Sequence, residues 1–304
     1  MVSTPLDITT SIEALSRLAL SKLGTATGDP RMLRPHPGLL ILSHQQPSDH
    51  LAQVYDPVVC VVLQGAKETS TTERSHPIRA GQFLIVTHDM PVVSRITHAS
   101  PQEPYLALIA SLDREVLTDL QHHARSTPVS DDHDPYALRV GDADIELVDA
   151  FSRHLRALES PDDADVLAPL AIREIHYRLL NSPQGHALRN LTLGDRPAEP
   201  VARAIGLIRR DLAAHLSIGA IASHVGLSPS ALHHHFKAVT GTTPVQFQKQ
   251  LRLLEARRLI QSDSTSITDA AYTVGYSSPT QFSREYRRAF GQPPSQDRPA
   301  ITTA

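Results

Sequence analysis

The hydrophobic pattern divides the chain into an N-terminal part with mixed periods and a C-terminal part that is helical throughout. Residues 11–23 place apolar side chains at helical spacing, which predicts a first helix. Short apolar runs bounded by Pro, Gly, Asp and His follow, and their Val and Ile content predicts strands over residues 39–42, 58–63, 82–86, 92–96 and 105–110. Strands at this spacing are typical of a compact β-barrel or sandwich.

The helical period returns after residue 112. Asp113 is suited to cap a helix that runs to about residue 123, and amphipathic helices are predicted over residues 143–158 and 167–180. These helices could pack onto the barrel or pair between two subunits, and both arrangements remain open. The aspartates of residues 126–134 indicate a polar loop and not a calcium site, because further ligands and a spaced glycine are missing.

Glycine and proline concentrate in residues 185–200, which predicts a domain boundary there. We expect a barrel domain over residues 1–190 and a linker over 191–199. A helical domain would follow over 200–298, with a tail over 299–304. The expected fold class is α+β, with a β-barrel and flanking helices followed by an all-α domain.

The helical part contains two copies of one sequence unit. Positions of the same type recur about 50 residues apart, as in a duplicated supersecondary unit. Gly226 permits a turn between two helices, and Ser228 followed by Pro229 is a typical helix start, so the unit has the pattern of a helix-turn-helix. The expected structural positions are Ile218, Ala222, Gly226, Leu232 and Phe236 in the first copy and Ile267, Ala271, Gly275, Phe282 and Tyr286 in the second.

The same spacing predicts the outward face of each second helix, which in a helix-turn-helix enters the major groove of DNA. The expected base-reading residues are Ser230, His233, His234, Thr280, Ser283 and Arg284. The expected phosphate contacts are Lys237, Arg287 and Arg288. A solvated helix face is the alternative for each of these positions. On the inner arc of the second copy we expect Glu285, beside an arginine, and Ala289.

A continuous helical stretch over residues 245–261 joins the two copies. Its length of about 25 Å could hold two reading heads near one DNA turn apart.

The C-terminal part resembles the DNA-binding domain of AraC/XylS-type transcription regulators. The resemblance covers about 100 residues. It departs at Asp297-Arg298, where the family often has a tyrosine before the last arginine. The matching segments are Ile218-Gly219-Ala220-Ile221-Ala222, Gly226-Leu227-Ser228-Pro229-Ser230, Phe236-Lys237, Leu251 to Leu259, Ala271, Val274-Gly275-Tyr276, Phe282-Ser283-Arg284 and Phe290-Gly291.

The N-terminal part resembles the sensory domain of one AraC-type subgroup, a cupin-type barrel followed by helices. The resemblance implies that the domain senses an effector, without naming it. The segments that carry it are Asp56-Pro57, Cys60 to Lys67, Ala80-Gly81-Gln82, Asp89-Met90-Pro91-Val92 and Pro104 to Leu108.

Charge and composition refine this interpretation. Residues 200–304 contain 12 Lys and Arg and 6 Asp and Glu, a net charge of +6 in a chain whose total is −3. A basic C-terminal part suits a polyanionic partner. The single cysteine, Cys60, indicates a reducing compartment, and the chain lacks an export signal or an apolar run long enough to cross a bilayer, so we expect a cytoplasmic protein.

The sequence therefore predicts a DNA-binding transcription regulator, more an activator than a repressor. Expected partners are double-stranded DNA, a small-molecule effector, RNA polymerase and a second copy of the chain. We expect no cofactor and no metal, because consecutive histidines on a helix cannot share one ion and the barrel histidines lack a His-x-His spacing. The alternative is a cupin-like metal-binding protein or enzyme with a helical targeting tail, although catalytic motifs are not found.

Overall fold

A computed structural model describes residues 7–24, 28–123, 135–192, 198–262 and 265–297. The aspartate loop over residues 126–134 and the tail over 299–304 lie outside these residues. The helices are α1 (Ile8–Leu23), α2 (Arg114–Leu120), α3 (Ile145–Ala157), α4 (Pro161–Leu180), α5 (Gly185–Thr192), α6 (Ala198–Arg210), α7 (Ile218–His224), α8 (Pro229–Thr240), α9 (Pro244–Gln261), α10 (Ile267–Thr273) and α11 (Pro279–Phe290).

Antiparallel strands build the N-terminal domain as two sheets. Sheet A has the order β1-β2-β9-β4-β7-β10, and sheet B has the order β3-β8-β5-β6. The strands are β1 (Arg31–His36), β2 (Leu39–His44), β3 (Leu51–Tyr55), β4 (Val58–Gln64), β5 (Ala66–Ser70), β6 (Ser75–Arg79), β7 (Gln82–Val86), β8 (Met90–His98), β9 (Tyr105–Ser111) and β10 (Leu138–Asp142). The predicted α+β class, with a cupin-like barrel and flanking helices, is confirmed.

Gly65 joins the two sheets, because it lies between β4 of sheet A and β5 of sheet B. Its φ of +74° favours glycine, and an added Cβ would lie 2.4 Å from the carbonyl oxygen of His98. The tight connection lets alternate residues of both strands face the space between the sheets. Cys60 and Val62 belong to that interior, whereas Val59 and Val61 face the opposite side of sheet A.

Helices cover the outer side of sheet A. Leu15 of α1, Phe151 of α3 and Leu179 of α4 are buried in one apolar cluster with Val59 and Val61. Of the two arrangements left open for α3 and α4, packing onto the barrel is therefore present. α4 begins at Pro161, earlier than its apolar stripe predicts, because a polar first turn precedes the stripe.

Helix α5 occupies part of the interval in which glycine and proline predict a domain boundary. Its Leu188 and Leu191 are buried against the N-terminal domain. α5 ends at Thr192 and α6 begins at Ala198, so both overlap the ends of the interval expected for the linker.

Polar contacts join the helical domain to the barrel domain. Arg209 of α6 forms an ion pair with Asp56 at 3.0 Å and a second with Asp89. The Gln250 side chain of α9 donates a hydrogen bond to the Thr72 hydroxyl at 3.0 Å. Sheet B lies against α9 through β3 and β8. Within the described residues, no helix is long and apolar enough to cross a membrane.

Candidate nucleic-acid interface

The first helix-turn-helix consists of α7 and α8, and serine side chains cap both helices. The Ser217 hydroxyl accepts a hydrogen bond from the Ala220 backbone N–H at 3.3 Å, and the Ser228 hydroxyl accepts one from Ala231 at 3.2 Å. Each cap satisfies a backbone donor that the first turn leaves free. Gly226, at φ +75°, makes the turn between the helices.

The first copy buries an aromatic core and leaves a polar face outside. Ala222, Leu232 and Phe236 are buried, and Phe236 packs edge-on against Phe247 of α9 with ring centroids 5.2 Å apart. Ile218 is half-buried. Ser230, His233, His234 and Lys237 are all exposed on one side of α8.

The second copy, α10 and α11, repeats these features. Ser266 and Ser278 cap its helices through the backbone N–H groups of Asp269 at 3.0 Å and Gln281 at 3.3 Å. Its core contains buried Ala271, Phe282 and Tyr286 together with half-buried Ile267. Thr280, Arg284, Arg287 and Arg288 are exposed on α11.

Two polar residues of the predicted reading faces already have partners within the protein. Ser283 is half-buried, and its hydroxyl donates to the Pro279 carbonyl oxygen at 2.9 Å. Lys237 lies 3.7 Å from the Glu73 carboxylate of the β5–β6 loop. An exposed ion pair of this length is weak, so it leaves Lys237 able to meet another anion.

Two inner positions of α11 differ from the sequence-based expectation. Ala289, expected on the inner arc, is exposed, because the buried stripe of α11 consists of Phe282 and Tyr286. Glu285 pairs with Lys249 at 2.7 Å and accepts a hydrogen bond from the Tyr276 hydroxyl at 2.8 Å, so its cationic partner is a lysine of α9 and not an arginine. Burial raises the pKa of Glu285, but the hydrogen bonds from Lys249 and Tyr276 outweigh burial and lower it.

Helix α9 joins the two copies and holds them through Arg252. The Arg252 guanidinium donates to the carbonyl oxygens of Leu212 at 2.8 Å, Ala214 at 2.8 Å and Gly275 at 3.2 Å. Leu212 and Ala214 lie between α6 and α7, whereas Gly275 lies in the turn of the second copy. One side chain of α9 therefore contacts both the connection that leads into the first helix-turn-helix and the turn of the second.

Asp297 joins the end of the second copy to α9 and α11, at the point where the sequence departs from the family pattern. Its carboxylate accepts a hydrogen bond from the Tyr286 hydroxyl at 2.6 Å and one from Gln292 at 2.9 Å, and it lies 3.0 Å from the Arg257 guanidinium. Burial raises the pKa of Asp297, but these partners outweigh burial and lower it. An ionised carboxylate thus links the last turn to α9 and α11.

The contacts that Arg252 and Asp297 make between helices could not be predicted from the sequence. Arg252 lies in a segment that resembles the family, but spacing does not reveal that its partners come from two different turns. Asp297 stood out only as a departure from the family pattern. Among the described residues, no group of three or more His, Cys, Asp or Glu side chains is arranged to hold a metal ion.

Two family profiles match the chain. The profile of the AraC-type transcriptional regulator N-terminus matches residues 35–187, and that of a helix-turn-helix domain matches residues 221–300. The HTH-type transcriptional activator RhaS of Pectobacterium carotovorum is 37% identical over 90 residues, which is 30% of this chain and 32% of that protein. RhaS of Escherichia coli is 40% identical over 75 residues, or 25% of this chain and 27% of that protein. The chain therefore matches about a third of the length of these relatives or less.

Solved structures support the fold over most of the chain. Unsaturated fatty acid-bound ToxT from Vibrio cholerae aligns with a TM-score of 0.57 at 11% identity, covering 87% of this chain and 96% of that one. ToxT from Vibrio cholerae O395 aligns with a TM-score of 0.54 at 10% identity, covering 86% and 97%. At such identities the likeness concerns the fold alone. Because the first profile spans half of the chain and the second most of the rest, the chain belongs to the family of AraC-type transcriptional regulators.

Proposed function

We propose that this protein is a sequence-specific transcription activator whose two helix-turn-helix units read two adjacent major grooves of DNA. The observation that carries the proposal is the repeated pair of α8 and α11, each capped in the same way and each with a polar face outside. A helix of this size fits the major groove, where every base pair has a distinct pattern of donors and acceptors.

The length of the linking helix α9 is suited to two helix-turn-helix units that bind neighbouring major grooves at the same time. α9 has 18 residues, or about 27 Å at 1.5 Å per residue. Successive turns of the major groove on one face of DNA are about 34 Å apart. With the diameter of the flanking helices added, a rod of this length suits two heads in neighbouring grooves.

Within each head we assign roles by side-chain chemistry. Arg284 is the candidate for bidentate contact with guanine, whereas Ser230, His233, His234, Thr280 and Ser283 are candidates for hydrogen bonds to base edges. Lys237, Arg287 and Arg288 are candidates for phosphate contacts. The second head has more positive charge, so we expect it to contribute more of the salt-dependent affinity.

The N-terminal domain would adjust this activity by binding a small-molecule effector. ToxT, whose fold is similar, has been seen with an unsaturated fatty acid. For the present chain we infer a regulator and not an enzyme, with residues 1–190 as the sensing domain, 191–199 as the linker and 200–298 as the DNA-binding domain. RNA polymerase would be the partner in activation.

A homodimer would form through the N-terminal domain. Helix α4 packs with one side onto the barrel and presents apolar side chains on another, where Val166 is 62% exposed and Leu170 is 59% exposed. Exposed apolar residues on one helix face are common at subunit interfaces.

Selection of DNA fragments from a random pool by the purified full-length protein tests the proposal. We expect enrichment of two short motifs at a constant separation, together with metal analysis that finds no stoichiometric transition metal. A bound stoichiometric metal without sequence-selective DNA binding would instead support the cupin-like metal protein that the sequence left as the alternative.

A further inference from the structure

The space between the two sheets contains a lysine without a carboxylate partner. Lys67 on β5 is 5% exposed, and its Nζ makes one long hydrogen bond of 3.4 Å to the Tyr55 hydroxyl. In the parts of the chain that the structure describes, no carboxylate lies within ion-pair distance of this ammonium group. An ammonium has three N–H donors, and burying its charge without a counter-ion is costly.

The Tyr105 hydroxyl faces the same space. Tyr105 on β9 is 1% exposed, and its hydroxyl makes no hydrogen bond of ordinary geometry among the described residues, although the Cys60 side chain interacts with it. Burial raises the pKa of Tyr105 well above its ordinary value, so the phenol keeps its proton. Burial lowers the pKa of Lys67, but Coulomb interactions with Cys60, Tyr105 and Tyr55 and a side-chain hydrogen bond with Cys60 outweigh burial and raise it, so Lys67 keeps its charge.

The side chains packed around these donors are mostly apolar. Val62, Ile78, Met90, Val92 and Ile96 belong to the same interior cluster as Cys60 and Tyr105. Small-molecule sites commonly combine apolar side chains with a few convergent polar groups that fix the orientation of the ligand.

We propose that Lys67, Tyr105 and Tyr55 bind the carboxylate group of a small-molecule effector with an apolar body, inside the barrel. One ammonium balances a single negative charge, which favours a monocarboxylate over a phosphate dianion. The hydroxyls supply further donors to the carboxylate oxygens. The inference rests on the proposed function, because it names the chemical class of the effector.

The position of the site connects it to the DNA-binding domain. Tyr55 is the last residue of β3, and Lys67 lies on β5, which pairs with β8. β3 and β8 contact α9, the helix between the two reading heads. A ligand at Lys67 is therefore separated from α9 only by sheet B.

Isothermal titration of the full-length protein without DNA tests the site. The probes are acetate, hexanoate, benzoate and decanoate, each paired with its uncharged amide of nearly the same shape. We expect at least one carboxylate to bind at least tenfold more tightly than its amide. Lys67→Met should lower the affinity for that carboxylate about ten- to hundredfold, because the variant loses a charge-assisted hydrogen bond.

Tyr105→Phe provides a gentler second variant, since it removes one oxygen atom and retains the ring. This variant should lower the affinity for the same probe about three- to tenfold. Tyr272→Phe is the matched control, because Tyr272 is 53% exposed on α10 and its variant should bind as the parent does.

Failure of all four carboxylates to bind, equal affinity for acid and amide, or unchanged binding by folded Lys67→Met would each overturn the inference. DNA selection by the same protein keeps the two proposals separate. Selective DNA binding without carboxylate binding removes only the effector assignment, whereas carboxylate binding without selective DNA binding removes the proposed function.

Discussion

Among single residues, Arg284 is the strongest candidate for recognition of a base. It is exposed in the first turns of α11, in the position from which a guanidinium can reach a base edge. Arg284→Ala should relax the preference at one or two base pairs and cost about 1–3 kcal/mol there. Quantitative binding to the selected motif, to its single-base variants and to random DNA measures this effect.

The control for Arg284 is Arg258→Ala, which removes another exposed arginine, from α9. Arg258 pairs with Glu255 and lines a cleft of about 750 Å³ between α9 and the barrel domain, away from the outward face of α11. We expect no change in base preference. Equal loss on specific and random DNA in Arg284→Ala would make Arg284 a phosphate contact.

His88 lies at the junction of the two domains and makes stability depend on pH. Its imidazole is fully buried against the Ala198 carbonyl oxygen at 2.9 Å, and burial lowers the pKa of His88 from 6.5 to about 4. The unfolded chain therefore takes up this proton at a higher pH than the folded protein. Stability should fall as the pH drops from 6.5 towards 4, by up to roughly 3 kcal/mol from this residue.

Urea denaturation of the parent and of His88→Gln over this pH range measures that loss. We expect a shallower decline in His88→Gln, because the variant has no imidazole to protonate, and a parental decline in His233→Gln, which changes an exposed side chain. Parallel declines in the parent and His88→Gln would exclude His88 as a source of the pH dependence.

At the scale of elements, the turns of the two helix-turn-helix copies are equivalent in sequence but differ in packing. Gly226 and Gly275 both have positive φ, at +75° and +88°. A Cβ on Gly275 would lie 2.3 Å from the Ala213 carbonyl oxygen, whereas a Cβ on Gly226 would meet nothing within 4 Å. The second turn is therefore pressed against the α6–α7 connection.

Alanine at each glycine separates conformational strain from a clash. Gly226→Ala should lower the free energy of unfolding by about 1–2 kcal/mol through its positive φ alone. Gly275→Ala should cost about 1–3 kcal/mol more because it also displaces backbone. Denaturant titrations give both values. Equal losses in the free energy of unfolding would mean that the α6–α7 connection moves away from the added Cβ without loss of stability.

Arg252 should fix the distance and orientation between the reading heads. Arg252→Met keeps the length of the side chain but leaves its carbonyl partners on Leu212, Ala214 and Gly275 without that donor, at a cost of about 1–3 kcal/mol in stability. We expect the variant to tolerate motifs whose separation differs by one base pair. Arg258→Met is the control. If Arg252→Met selects the same separation between motifs as the parent, Arg252 contributes to stability and does not set the spacing of the heads.

Elements with one clear period could be predicted from the sequence, and mixed ones could not. The interval 58–63 lies within β4, whose nearly continuous burial matches its apolar run. β1, β5 and β6 each contain Arg, Lys, Glu or Pro among only five or six residues, so no apolar alternation stands out. α5 was missed because neighbouring glycine and proline obscured the stripe that includes Leu188.

At the scale of the whole molecule, the contact between the domains could not be predicted. Arg209 could pair with many acidic residues of the N-terminal part, and nothing in the spacing selects Asp56 and Asp89. Likewise, Tyr105 is recognisable in sequence only as a residue of an apolar run, and Lys67 only as the end of a segment that resembles the AraC-type sensory domain. Their shared environment follows from the way sheets A and B face each other.

We propose that two heads of one chain, held by α9, read successive major grooves. Inserting 5 or 10 base pairs between the two selected motifs tests it in an equilibrium binding assay. Both insertions should reduce binding to the level of a single motif, because a rod of about 27 Å cannot span two helical turns of DNA. Full binding after the 10-base-pair insertion would contradict a rigid connection through α9, since only flexibly linked heads could follow a motif moved by one whole turn.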